Sequence, residues 1–301
     1  VRCVLRGQPD AVPLASEQLR DPLGRHWGDL DNLCPAVPHV DAVEAPTELG
    51  FAVITRSRAG VKLTDDGERI MPSVRGMLNY EEQLRQTASS IRGLDSGTVR
   101  IGAFTSVAVH WLPGVIKEFQ HDYPNVDLKL LNGDYYDVER WIEEGSIDLG
   151  FVNVPTKLRC ECIPLMEDRL LAILPHGHKF ESYPKFPLVE CETEAFITLL
   201  EESNHDANRA LTAAGVKPNI RFSTKDDYAI IAMVEKGLGI SIMPELLLKG
   251  RHDDIVIKEL VPPSKRIIGL AITETSRNSP ATRKFADYTI DWVRRGGIAK
   301  E

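Results

Sequence analysis

Apolar and polar positions alternate along this chain with periods that change from segment to segment, and the changes mark its elements. Phe51-Ala-Val-Ile-Thr55 is a short β-prone run, Arg56-Ser-Arg-Ala-Gly60 a basic turn, and Val61-Lys-Leu63 a second run. Together they predict a small hairpin with Arg56 and Arg58 at its tip. Thr64, followed by Asp65, Asp66 and Glu68, opens a helix with a capping hydroxyl and early acids. Inside that helix Ile70, Val74, Met77, Glu81, Leu84, Ala88 and Ile91 step alternately by four and three residues. A sustained period of about 3.5 residues favours pairing with another helix over simple core burial. The six apolar members, Ile70, Val74, Met77, Leu84, Ala88 and Ile91, are therefore candidate dimerisation residues. A helix over 65–92 would span roughly 42 Å, and Pro72 is expected to kink its second turn.

From residue 98 short apolar runs alternate with helical stretches. Strands are expected at 98–104, 126–131, 148–154, 160–165, 170–174, 220–223, 239–243, 255–260 and 267–272, with a short apolar run at 196–200. Helices are expected at 106–122, 136–144, 206–214, 226–236 and 281–294. Such alternation implies α/β layers with mostly parallel sheets. Two such units in succession fit a two-lobed ligand-binding architecture or a small α/β enzyme.

The first 47 residues read differently. They hold six of the chain's 19 prolines and no sustained period. Proline inside a helix costs about 3 kcal/mol, so little uninterrupted helix fits there. Charge adds a further contrast. The chain carries a net −8, residues 1–47 hold four Lys/Arg against seven Asp/Glu, and 48–95 hold seven of each. A DNA-reading segment should be the most basic part of its chain, because phosphate neutralisation supplies most of the affinity. The first 47 residues do not meet that requirement. No run of 18 apolar residues predicts a membrane span, and no basic stretch followed by an apolar one predicts a secretory signal. Five scattered cysteines, an odd number, are then expected as reduced thiols in a cytoplasmic protein.

Several passages in order carry a resemblance. Glu48-Leu-Gly-Phe51, Thr55-Arg-Ser57 and Leu63-Thr-x-x-Gly67 resemble the wing and the start of the linker helix of LysR-type transcriptional regulators. Thr98-Val-Arg-Ile-Gly102, Leu112-Pro113 with Phe119 and Tyr123-Pro124, and Gly145-Ser-Ile-Asp-Leu-Gly150 are similar to that family's effector domain. Gly237-Leu-Gly-Ile-Ser-Ile-Met-Pro244 resembles its second subdomain. The resemblance runs from about Glu48 to the C-terminus. It implies a winged helix-turn-helix over 1–64, a dimerising linker helix over 65–95, and an α/β effector domain of periplasmic-binding-protein type over 96–301. Lobe I of that domain would take 96–166 with 267–301, and lobe II 167–266. Upstream of Glu48 only Cys34-Pro-Ala-Val37 and Ala42-Val-Glu44 echo the family, and Pro38 and Pro46 interrupt the recognition helix. Either the segment has decayed or its reading frame is shifted. The abrupt resumption favours the second, and no recognition-helix residue is assigned.

Candidate chemistry gathers at strand ends. The hydroxyls of Thr105 and Ser106 and the N–H groups of 106–109 sit at a strand-to-helix turn, an anion-friendly arrangement. Asn132 ends the second strand of the region, and Asn153 interrupts an apolar strand, where an amide needs a partner or a ligand. Thr198 is a matching polar intrusion downstream, and Thr224 either joins the site or, with Asp227, caps its helix. Ligands in open α/β folds bind beyond the carboxyl ends of strands, so Thr105, Ser106, Asn132, Asn153, Thr198 and Thr224 are the candidate effector-binding residues. Arg56 and Arg58 would contact phosphates or a minor groove. Cys160-x-Cys162 lacks a second pair or a nearby His to complete a zinc set, and His176-Gly-His178 reads as a polar loop. No nucleophile elbow, zinc-protease or P-loop motif occurs in the sequence. The reading is thus a ligand-responsive regulator, not an enzyme, without a cofactor. Its expected partners are double-stranded DNA, a small organic anion between the lobes, and further copies of itself. The rival is a solute-binding sensor of the same fold that binds no DNA.

Overall fold

The computed structural model describes residues 49–57, 60–92, 96–200, 206–250 and 254–297. The chain forms two compact units, Val1–Met71 and Pro72–Glu301. In the first, β1 (Ile54–Ser57) and β2 (Gly60–Leu63) form the expected hairpin, with Ile54 opposite Leu63 and Ser57 opposite Gly60. Thr64 ties the hairpin to helix α1 (Asp65–Ile91). Its hydroxyl donates to the Ala52 carbonyl at 2.6 Å and accepts from the Gly67 N–H at 2.8 Å. Gly67 is required there, because a Cβ would collide with the Val53 carbonyl. The unit boundary falls inside α1, between Met71 and Pro72, rather than at the helix start. Helical structure continues through Pro72.

In the second unit α1 docks through a polar face that the apolar seam had hidden. Asn79 donates to the Gly145 carbonyl at 3.1 Å, and Gln86 to the Thr98 carbonyl at 3.1 Å. Glu82 accepts from the Thr98 N–H at 3.1 Å, and Ser279 donates to Gln86 at 2.6 Å. These residues repeat at the same spacing as the seam, so the two faces run side by side along the helix. The seam is left outside: Met77, Leu84 and Ile91 are 67%, 69% and 82% exposed. Ala88 is exposed as well, while Ile70 and Val74 are half-buried.

The unit continues with β3 (Gly97–Ala103), α2 (Thr105–His110), α3 (Leu112–Asp122), β4 (Val126–Asn132), α4 (Tyr135–Glu143), β5 (Leu149–Val154) and β6 (Glu161–Pro175). Next come β7 (Lys185–Pro187), a 3-10 turn over Leu188–Glu192, β8 (Phe196–Leu199), α5 (Asp206–Ala213), β9 (Ile220–Thr224) and α6 (Asp227–Glu235). Last are β10 (Ser241–Pro244), α7 (Glu245–Leu248), β11 (Ile255–Ile272) and α8 (Pro280–Arg294). The helix expected at 106–122 is two helices that break at Trp111, because Pro113 belongs in a first turn, not an interior.

The main sheet has the order β10-β6-β11-β5-β3-β4, with β7 beside β11, and β8 and β9 form a separate parallel pair. It is mixed, not mostly parallel. β3 runs parallel to β4 and β5, whereas β11 is antiparallel to both β5 and β6, and β10 to β6. The difference arises because the runs expected as four short strands are two long ones. β6 and β11 each pass from one lobe to the other without a crossover helix. A register shift between Glu259 and Ser264 absorbs Pro262 and Pro263.

Lobe I buries one sheet face under α2, α3 and α8, around Phe119, Phe151 and Phe285. Its other face lies under α4, around Val138, Ile147 and Val152. β5 is buried on both faces, which is why its sequence is an almost continuous apolar run. Lobe II likewise has two cores, one around Phe186, Phe196 and Leu211 and one around Ile197, Ile231 and Leu247. Among the described residues no helix is long and apolar enough to cross a membrane.

Candidate functional site

Between the lobes lies a cavity of ≈ 280 Å³. Chain topology builds its walls. β3 and β4 end at Ala103 and Asn132, which delivers Phe104, Thr105, Ser106, Asn132 and Tyr135 from lobe I. β8 and β9 deliver Thr198 and Lys225 from lobe II, and the first residues of α5 and α6 add Asp206 and Asp227. Arg266, where β11 crosses between lobes, completes the wall. The carboxyl ends of strands from both lobes thus face one space.

Arg266 is the centre of a buried polar network. Its Nε and Nη2 donate to Asp168 Oδ2 at 2.8 and 2.6 Å, and Nη2 also reaches Ser106 Oγ at 2.8 Å. Nη1 donates to the Tyr135 hydroxyl at 2.5 Å and to Asp206 Oδ2 at 3.4 Å. The guanidinium stands 5.1 Å from the centre of the Phe104 ring, a cation–π distance. Burial disfavours its charge, but Tyr135, Asp206 and Asp168 more than offset this and hold it above the usual arginine value. Burial pushes the Tyr135 phenol well up, so it stays protonated and donates to Asp206 at 2.6 Å. The Asp168 carboxyl is also pushed up by burial against the pull of Arg266, and it accepts from the Leu246 N–H at 2.9 Å.

Asp206 joins the lobes. Held at the start of α5, it accepts from Tyr135 and, at 2.6 Å, from the Asn153 amide, both on lobe I. Asp227 opens α6 facing the cavity, and burial pushes its carboxyl up despite a hydrogen bond from Thr105. Arg266 also draws this carboxyl down, without a direct ion pair to it among the described residues. Thr198 is 3% exposed, and its hydroxyl has no hydrogen-bond partner among the described residues.

Of the six expected effector-binding residues, Thr105, Ser106, Asn132 and Thr198 line this one cavity, while Asn153 and Thr224 do not. Asn153 is turned inward and spends its amide on Asp206. The Thr224 hydroxyl accepts from the Asp226 N–H at 3.3 Å in the turn before α6, and Asp226, not Asp227, caps that helix. The anion-friendly turn is altered too. α2 has only six residues, the Val107 and Ala108 N–H groups donate to the Phe104 carbonyl, and the Ser106 hydroxyl is taken by Arg266. Arg56 lies in β1, its side chain and all of Arg58 falling outside the described residues. Sequence reading missed Arg266, Asp168, Asp206 and Tyr135. The available signal was two charged dipeptides, Asp168-Arg169 and Lys265-Arg266, each interrupting an apolar strand pattern.

The thiols of Cys160 and Cys162 stand 4.0 Å apart, and burial pushes the first up to about 12 and the second in the same direction. They are therefore poor thiolate ligands and nucleophiles. His176 bonds Glu181 at 2.9 Å on an exposed loop. Among the described residues no three His, Cys, Asp or Glu side chains converge as a metal site.

The sequence model of the LysR substrate binding domain matches residues 92–294. The chain belongs to the LysR family. An uncharacterised HTH-type transcriptional regulator, YvbU of Bacillus subtilis, is 30% identical over 257 residues, covering 84% of this chain and 87% of that one. Among solved structures, a full-length OxyR variant from Pseudomonas aeruginosa superposes with a TM-score of 0.66 at 19% identity, covering 82% of this chain and 81% of that one. The effector binding domain of QuiR in complex with shikimate gives 0.61 at 19% identity, covering 67% of this chain and all of that one. These likenesses show the two-lobed effector fold for this LysR chain. Its relatives are transcriptional regulators, not enzymes.

Proposed function

We propose that this LysR-family chain is a ligand-responsive DNA-binding regulator whose effector occupies the cavity between the lobes. The observation that carries the reading is the cavity itself. Strand ends of both lobes face it, the buried Thr198 hydroxyl in its wall is unpartnered, and Asp206 binds lobe I across it. A molecule that prefers one arrangement of these interlobe bonds shifts the population of closed and open forms by its differential affinity. The effector is a small organic acid, with the Thr198 hydroxyl and Lys225 as the donors for its carboxylate. The hairpin over 54–63 is the wing of the DNA-binding module, with Arg56 and Arg58 on phosphates or a minor groove. Residues 65–95 form the linker, and its exposed seam pairs two chains.

A gel shift of the full chain on DNA flanking its own gene tests the reading. The chain should retard that fragment, and Arg56→Ala with Arg58→Ala should weaken binding and reduce the salt slope by about 2. No retardation of any fragment would leave the sensor without DNA binding as the function.

A further inference from the structure

The charge of the cavity wall says more about the effector than the fold does. Four aspartates, Asp134, Asp137, Asp206 and Asp227, line it against Lys225 and Arg266. Most of these charges are already spent inside the protein. Asp134 and Asp137 cap α4 reciprocally, each accepting a backbone N–H of the other, and Asp137 also pairs with Arg140 at 3.0 Å. Arg266 is committed to Asp168 and Asp206, and Asp206 further accepts from Tyr135 and Asn153. Among the aspartates Asp227 is the exception. It lines the cavity, takes a hydrogen bond from Thr105, and feels the charge of Arg266 without a direct ion pair to it among the described residues. Burial pushes it up, and the Thr105 hydrogen bond and the pull of Arg266 offset this only in part.

A second, independent observation points to a ligand at this wall. Thr198 borders the same cavity, and its buried hydroxyl lacks a partner among the described residues. An orphaned hydroxyl forgoes a hydrogen bond that a bound molecule would supply.

We infer that the effector carries a cationic nitrogen, seated against Asp227, in addition to its acidic end, and is therefore a zwitterion of the amino-acid type rather than a simple organic anion. The inference rests on the proposed effector site and assigns its ligand chemistry. A dianion would place a second negative charge beside Asp227 and find Arg266 already saturated. A protonated amine supplies the direct ion pair that Asp227 lacks among the described residues and leaves the Arg266 network intact.

Calorimetric titration of the full chain with five probes of one chain length tests this: butyrate, succinate, n-butylamine, putrescine and γ-aminobutyrate, each to millimolar concentration. γ-Aminobutyrate should bind tightest, the two amines measurably, and succinate not at all. Asp227→Asn should weaken the amine-bearing probes about tenfold or more, the worth of one charge-assisted hydrogen bond, and leave butyrate unchanged. Succinate or butyrate binding as well as γ-aminobutyrate overturns the charge assignment while leaving the cavity an effector site. No binding by any probe of either sign counts against both. The probe series on the unaltered protein decides the matter even where Asp227→Asn fails to fold.

Discussion

Replacing Arg266 by methionine removes the cation on which the two lobes converge while keeping most of the side-chain volume. The structure sets the scale of the loss. The side chains of Arg266, Asp168 and Asp206 are 3%, 2% and 8% exposed. Five hydrogen bonds of 2.5–3.4 Å leave the guanidinium for four side chains. Summing charge-assisted bonds at about 1.5–3 kcal/mol each would overshoot, because desolvating the ions offsets much of the attraction. Removing one partner of a buried pair instead strands the other, at about 3–5 kcal/mol. At roughly 2–4 °C per kcal/mol for a unit of this size, the melting temperature should fall by about 6–20 °C. The second arm is decisive: Asp168→Leu added to Arg266→Met removes the stranded charge, while Asp206 keeps Tyr135 and Asn153 as donors. The double variant should recover most of the lost stability by scanning calorimetry. A single variant within about 1 kcal/mol of the parent, or a double variant no better than the single, would refute the network as described.

Ile70→Asp with Leu84→Asp should convert the assembly to monomers in sedimentation velocity, since Leu84 presents an exposed apolar side chain to solvent; unchanged size would remove the seam from the interface. Asp148 is buried and its carboxyl is pushed up by burial, in spite of hydrogen bonds from Ser276 and the Arg100 N–H at 2.7 Å each. The folded state therefore holds this proton more tightly than the unfolded chain, and stability falls as pH rises from the ordinary carboxylate value to the raised one. The advantage of the parent over Asp148→Asn should shrink across that interval in a melting series; a constant or growing advantage contradicts the assignment. Gly150→Val should cost about 1–3 kcal/mol, read as a lowered melting temperature, because a Cβ at Gly150 meets Val138 at 2.7 Å and Ile147 at 3.0 Å.

What sequence disclosed and what it hid follow from range. β3, β4 and β5 lie within a residue or two of expectation, because a glycine opens the first run, an asparagine closes the second and a proline follows the third. The exposed seam of α1 was legible from spacing alone, but its polar docking face was not. Asn79, Glu82 and Gln86 look like ordinary solvated helix positions until their partners near Thr98 and Gly145 come into view. At the site, Thr105, Ser106 and Thr198 were legible as polar residues where strands end. The Arg266 network was not, since its partners lie 60 to 160 residues away in sequence. Splitting β6 and β11 at their charged midpoints concealed the very residues that join them. A charged residue inside a strand reads as a break unless its counter-ion on the neighbouring strand is known.

The pairing of β6 with β11 has a consequence for how lobe II is attached. Asp168 and Arg266, at the two ends of that lobe, face each other on adjacent antiparallel strands, so their Cα atoms stand only about 4.5–5.5 Å apart. In modular terms lobe II is a cassette plugged into a hairpin, with entry and exit at one rung. Cutting it out and joining the strands by a short turn would leave lobe I a closed chain with its sheet intact. A foreign cassette would need to match that rung and to replace the bonds that Asp206 and Arg266 make to lobe I, while the half that carries the linker helix stays as it is.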